Sequence, residues 1–508
     1  MTFFEVTQRY RERKFVILAS VLYSLMHAGI LFIPFAVFWD DWILVDTSNE
    51  TTLETFRQLG AMFNLMGYLH VGLISLGVWT YKVFTFFLMG AAGYFLNAIL
   101  KRNGAFECHL RWIIVLLFML LPFNMARVAL IDFPYVACYA LFFGAWWAID
   151  RYRILAAILF FISFNTNSLL VFYALPVLDM LYRSSGRFTV LTLFRLALAR
   201  WELMILPFLY FGIKTLFYKP VGFYAGYNQG YSLALVPGAI ESQAKELLNL
   251  QFNIITIVMF FPFVYIALRK VFYSSESTEY IFSRCGLLIL GGIAITLGGF
   301  PYWILGHVPT FTEWTSRHQL LMPLGVALLI SGALMYAPKK ARTVSTAFII
   351  SACLSYGMIT YFNFYVDWQK QLFIIDKFKN DSVVAKANFV IIEDQTKNLD
   401  AIGRTHRFYE WNGMLVRAFG DERRFAVEFK DSSRYAQGDF DKYFTAKYKA
   451  GEHVRGAGEF VAVVRLDLKI IDKKNIYSEL VPKIEYRSRL LTPEEWTQIA
   501  AGSKEKIK

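Results

Sequence analysis

Eleven apolar stretches along the chain are read as membrane-crossing helices, and they stop three quarters of the way through. They cover residues 15–38, 82–100, 110–124, 133–149, 153–165, 168–182, 201–217, 252–268, 285–306, 319–336 and 343–364. A helix needs roughly 20 mainly apolar residues to cross a bilayer. The two shortest stretches are separated by the polar break Asn165-Thr166-Asn167-Ser168, read as a turn between two spans. Met62 to Trp79 is also apolar, but Gly67, His70, Gly72 and Gly77 weaken it, and it is expected to lie along the interface. Two strand-like runs, Phe389–Ile392 and Phe460–Leu468, belong to a polar segment that follows Tyr365.

Basic residues fix an orientation. They gather in every second connection: Lys101, Arg102 and Arg111; Arg151 and Arg153; Arg183, Arg187, Arg195 and Arg200; Arg269, Lys270 and Arg284; Lys339, Lys340 and Arg342. The opposite connections hold only scattered bases such as Arg57, Lys219 and Lys245. By the positive-inside rule the N-terminus is cytoplasmic and the C-terminal segment lies outside. The expected fold is a polytopic α-helical membrane protein with about 11 transmembrane helices over 1–365. A small extracytoplasmic α+β domain over 366–508 completes it.

Composition agrees with this picture. The 508 residues are 56% hydrophobic, with a mean hydropathy of +0.42, which excludes a soluble globular protein. The net charge of +13 sits in the short connections rather than in a basic stripe, so no nucleic-acid partner is expected. The four cysteines form no pair with metal-ligand spacing. Without internal repeats, nothing in the chain supports an inverted-repeat transporter.

Five polar features fall on the predicted outer face: Asp40-Asp41 between Trp39 and Trp42; the Pro122–Asp132 loop with Arg127; Asn165-Thr166-Asn167; the Tyr- and Asn-rich loop with Tyr227 and Asn228; and Tyr302 through Arg317-His318, ahead of Pro323. Ionisable groups this close to hydrocarbon are costly, and several converging on one face point to function. A carboxylate there can act as general base or hold a divalent cation. An arginine at that depth suits a phosphate, which its fork grips with two hydrogen bonds. Aromatic rings and amides suit sugars. The combination fits chemistry on a lipid-linked phosphosugar.

The order of these features resembles the GT-C superfamily of integral-membrane glycosyltransferases over residues 1–365. An acidic pair stands in the first outer loop, followed by an interfacial segment and Gly77-Val78-Trp79; the Pro122–Asp132 loop and a late Arg317-His318 with Pro323 come after. The resemblance implies inverting sugar transfer from a polyprenyl-phosphate donor to a glycan, lipid or protein acceptor, outside the membrane, with a bacterial inner membrane as the setting. It implies Asp40 or Asp41 as base, Asp132 as a second acid and Arg317 on the donor phosphate; by residue type and placement, Arg127 is expected on the same phosphate and His70, Tyr227, Asn228, Tyr302 and His318 on substrate. A divalent cation would be held by Asp40 and Asp132. The sequence departs from many relatives, which carry Asp-Glu-Tyr where this chain has Asp40-Asp41-Trp42. Alternative readings are a polar-lipid transporter or flippase and an O-antigen polymerase or ligase.

Overall fold

The computed structural model describes residues 3–501 apart from 186–188, 227–229, 249, 251, 273–283, 312–313, 402–403, 437–452, 454–459 and 469–482. Each predicted apolar stretch contains helix, as a backbone that must satisfy its own hydrogen bonds in hydrocarbon requires. Among the described residues, five helices are long and apolar enough to cross a membrane: Arg9–Phe32, Trp79–Asn103, Ile254–Val271, Arg284–Trp303 and Lys339–Asn380. The pair Val190–Ala199 and Trp201–Phe217, bent by 101°, makes a sixth candidate.

The expectation of eleven spans is therefore corrected downward. Cys108–Leu120, Phe133–Ala148, Arg153–Ser163 and Met322–Leu334 have 13, 16, 11 and 13 residues. At 1.5 Å per residue they reach roughly 17–24 Å, short of a hydrocarbon core of about 30 Å. Cys108–Leu120 and Phe133–Ala148 are buried almost throughout, so their apolar character answers protein neighbours rather than lipid. Stretch 168–182 is broken again, into Ser168–Phe172 and Ala174–Ser185. The basic connection 183–200 contains the helix Val190–Ala199, with Val190, Phe194 and Leu198 exposed.

Small residues bring the helices together. A Cβ on Gly291 would lie 2.8 Å from the Leu329 backbone nitrogen, so Arg284–Trp303 and Met322–Leu334 touch backbone to backbone. Gly77, at φ +108°, makes the break between helix Leu65–Leu76 and Trp79–Asn103.

The last helix, Lys339–Asn380, runs 42 residues without interruption and carries a small sheet at its end. The strands are β1 (Phe389–Asp394), β2 (Phe425–Glu428), β3 (Val461–Leu468) and β4 (Ile484–Leu490), in the order β2-β1-β3-β4. β1 is parallel to β2 and β3, and β4 is antiparallel to β3. Helix Phe408–Phe419 links β1 to β2 and presses on the loop around Trp42: a Cβ on Gly413 would lie 2.4 Å from Trp42 Cε3. One apolar cluster runs from Phe38 and Trp42 through Met125 and Val128 to Trp411, Val390 and Val464. The sheet module and the membrane helices thus share a core at this junction, where the Arg417 Nε–Asp46 Oδ2 ion pair of 3.1 Å also bridges them.

Candidate functional site

Asp40 and Asp41 are adjacent but differ in surroundings. Trp39 takes a left-handed conformation, φ +55°, which turns the chain into the short helix Asp41–Leu44. Asp41 is fully buried; its Oδ2 accepts from the Phe38 N–H at 3.0 Å and its Oδ1 from the Ile131 N–H at 2.8 Å. It therefore pins the Phe38–Trp42 loop to the Pro122–Asp132 loop. Burial pushes its pKa up to about 6, against the pull of Lys82 and the backbone donors. The buried Lys82 ammonium donates to the Val128 carbonyl of the same loop. Asp40, by contrast, is only half-buried, and its side chain does not cap the helix it precedes.

Asp132 lies buried at the start of Phe133–Ala148, with its Oδ1 3.4 Å from Arg317 Nη1. Burial raises its pKa to about 7; Arg317 opposes this, and the charges of Asp41 and Asp40 add to it. The guanidinium of Arg317 lies 3.9 Å from the Trp314 ring centre. Its loop is tied to the Pro122–Asp132 loop by the Ala126 N–H, which donates to Ser316 Oγ at 2.9 Å. Beside Arg317, the His318 ring stacks on Tyr302 at 4.6 Å and on His307 at 5.3 Å. Tyr302 Oη donates to Ser168 Oγ at 3.1 Å, which brings the Asn165–Ser168 break to the same place. Burial and the Arg317 charge hold the pKa of His318 well below the usual histidine range.

The sheet module closes the other side. Arg404 lies 5.7 Å from the Trp39 ring centre, donates from Nη2 to Tyr409 Oη at 2.5 Å, and pairs with Glu410 at 3.4 Å. The Asp40 charge reaches Asp132, Arg404 and Tyr409 alike. Asp40 thus acts electrostatically on two neighbouring segments, 124–132 and 404–410.

Other expected residues fall elsewhere. Arg127, expected on the donor phosphate, is buried and turned to His27 and Tyr361, while Asp132 pairs with Arg317. The left-handed Asn124, φ +54°, begins the turn that carries it inward. His70 is buried, with its ring stacked on Phe56 and its Nδ1 3.0 Å from Tyr81 Oη. Tyr227 and Asn228 lie outside the described residues.

For a metal, the described residues offer one group of three ligand-type side chains: Asp367, Asp400 and His406. Asp40 and Asp132 are not part of it. A cation already serves that group. Lys370 Nζ lies 2.7 Å from Asp394 Oδ2 and 2.5 Å from Asp400 Oδ1, and His406 Nε2 lies 3.0 Å from Asp367 Oδ1. Asp400 and Asp367 push the pKa of His406 up to about 9 against its burial, so with no metal bound it carries a proton at neutral pH, and a metal would have to displace that proton. This network ties the long helix to the sheet module, and Gln371 extends it to Trp42 Nε1 at 3.3 Å.

Sequence reasoning missed Lys82, although an ammonium in an apolar run is itself a signal. It also missed the approach of Arg404 and Tyr409 to Asp40, which no local pattern encodes. Compared with protein-family models, curated proteins and solved structures, the chain matches none.

Proposed function

We propose that the protein is an integral-membrane glycosyltransferase of the GT-C type, moving a sugar from a polyprenyl-phosphate donor to an acceptor hydroxyl on the extracytoplasmic face. The observation that carries this reading is the half-buried Asp40 near the Asp132–Arg317 pair, at the ends of apolar helices.

In this reading Asp40 takes the proton of the acceptor hydroxyl. The acceptor oxygen attacks the anomeric carbon, and the bond from that carbon to the phosphate oxygen breaks with inversion. Polyprenyl phosphate leaves with the bonding electron pair, and Arg317 stabilises its added negative charge. Asp132 holds Arg317 in place, and its proton affinity near neutrality lets the pair exchange its own ion contact for one with phosphate. Tyr302, partly exposed beside His318, is the aromatic ring available to a sugar. Asp41 is a structural residue here.

The test compares surface glycans by mass spectrometry in cells with the gene, without it, and with Asp40→Asn. The expected result is one glycan species missing a sugar in the latter two. A polar-lipid transporter would instead retain its activity with Asp40→Asn.

A further inference from the structure

Arg127 presents an electrostatic problem that the proposed transfer site does not solve. It is 4% exposed, and a guanidinium stays charged at any pH the protein meets. Its contacts are Tyr361 Oη at 3.4 Å from Nε, His27 Nδ1 at 2.6 Å and, less closely, Nε2 at 3.3 Å from Nη2, and the Met125 sulfur at 4.0 Å. Among the described residues it makes no ion pair with a carboxylate.

His27 cannot balance the charge. Its Nε2 lies 3.0 Å from the Met119 carbonyl, an acceptor, so the ring proton sits on Nε2. Nδ1 then accepts from Arg127, and the imidazole is neutral. A buried charge without a counter-charge is costly, by several kcal/mol in proteins.

Tyr361 links this guanidinium to a groove. Its hydroxyl meets Arg127, while the same residue lines a cavity of about 770 Å³ between the first helix and Lys339–Asn380. Ser24, Met26, Gly29, Met358 and Phe362 form the cavity walls. Both helices are candidate membrane spans, and the flanking Leu25, Phe32, Met358 and Phe362 are exposed, so the groove opens sideways to the acyl chains of a bilayer. Its size suits a long ligand.

We propose that this groove holds an acyl chain of an anionic bilayer phospholipid, whose phosphate accepts from Tyr361 Oη and supplies the missing counter-charge to Arg127. Charge complementarity selects the occupant. A zwitterionic lipid would fill the groove equally well but would bring its own cation to the phosphate. The inference stands apart from the proposed sugar transfer and survives if that reading fails.

The full-length protein, purified in detergent and stripped of lipid, tests it. Dioleoyl phosphatidylglycerol or dioleoyl phosphatidylcholine is added, and thermal unfolding is followed by tryptophan fluorescence. Phosphatidylglycerol is expected to raise the midpoint several degrees further than phosphatidylcholine, and native mass spectrometry to find a single phosphatidylglycerol retained. Arg127→Gln is expected to abolish the difference between the two lipids. Ser24→Trp, which obstructs the groove without touching Arg127, is expected to lose the retained lipid and serves as the test if Arg127→Gln does not fold. Equal shifts from both lipids, a preference that persists in Arg127→Gln, or retention in Ser24→Trp would each overturn the proposal. Displacement of phosphatidylglycerol by an equimolar polyprenyl phosphate would overturn it too, by assigning the groove to that isoprenoid.

Discussion

Asp41 Oδ1 accepts the Ile131 backbone N–H at 2.8 Å, so a carboxylate of the Phe38–Trp42 loop is built into the fold of the Pro122–Asp132 loop. Its neighbour Asp40 is left half-exposed beside Asp132 and Arg404. The two acids should therefore fail differently. Asp41→Asn puts an amide N–H₂ opposite one of two backbone donors and should lower stability by about 1–3 kcal/mol. Asp40→Asn should leave the unfolding midpoint near that of the wild type while reducing sugar transfer about 10²–10⁴-fold. The reverse assignment of effects would move the base to Asp41.

Lys82 is the buried cation nearest to that arrangement, set between Asp41 and the Val128 carbonyl. Lys82→Met leaves Asp41 buried without its counter-charge, which typically costs about 3–5 kcal/mol. Adding Asp41→Asn removes the orphaned charge, so the double variant should be more stable than the sum of the single losses predicts. Unfolding midpoints of the four proteins in one detergent decide it; strict additivity would mean that the two groups do not interact.

A pH dependence follows from His406, which faces Asp367 of the long helix, Asp400, Lys370 and Asp394, with Trp411 edge-on at 5.1 Å. Its pKa in the fold, about 9, lies above the ordinary histidine value, so the folded state binds the proton more tightly than the unfolded chain does. Its contribution is complete below about pH 6.5 and is lost as pH rises through 9. Stability should fall across that window by an amount on the order of 2–3 kcal/mol. His406→Gln should start lower and stay nearly flat over the same range. A wild-type midpoint unchanged between pH 6.5 and 9 would rule out a protonated His406.

Helices were legible in the sequence because apolar runs are local; the number that cross a membrane was not. Cys108–Leu120 is as apolar as a lipid-facing span, yet it is packed among protein neighbours, and burial in protein looks the same in one dimension as burial in lipid. At the site, Asp132, Arg317, His318 and Tyr302 could each be named from composition at predicted boundaries. Arg127 could be named too, but not the inward turn at Asn124 that carries it to His27. Lys82 was hidden by standing at the first position of a predicted span. The convergence of Arg404 on Trp39 depends on a 42-residue helix bringing the sheet module to the Phe38–Trp42 loop, a long-range relation without a local signature.

The proposed orientation has its own test. In a cysteine-free background, a cysteine at Ser48, which caps the exposed helix Asn49–Gln58, and another at the exposed Lys397 should react with an impermeant maleimide added to intact cells. A cysteine at Gly104, on the connection rich in bases, should react only after permeabilisation. Labelling of 48 and 397 on opposite sides of the membrane would contradict the seating of Trp42 against Gly413 as well as the topology.

Arg317 gives the most discriminating outcome. Its guanidinium rests 3.9 Å from the Trp314 ring centre and reaches Asp132 at a long 3.4 Å, a contact loose enough to be exchanged for a phosphate. A phosphate offers two oxygens to the planar fork, whereas a lysine ammonium meets it as a single point charge. Arg317→Lys should therefore keep the fold and part of the rate but raise the apparent KM for the polyprenyl-phosphate donor. Arg317→Ala should lose donor binding and strand Asp132 as a buried acid without its cation. Pairing Arg317→Ala with Asp132→Asn separates the two effects: the fold should recover and donor binding should not. If the double variant regains donor affinity, Arg317 serves only to neutralise Asp132, and the phosphate is held elsewhere.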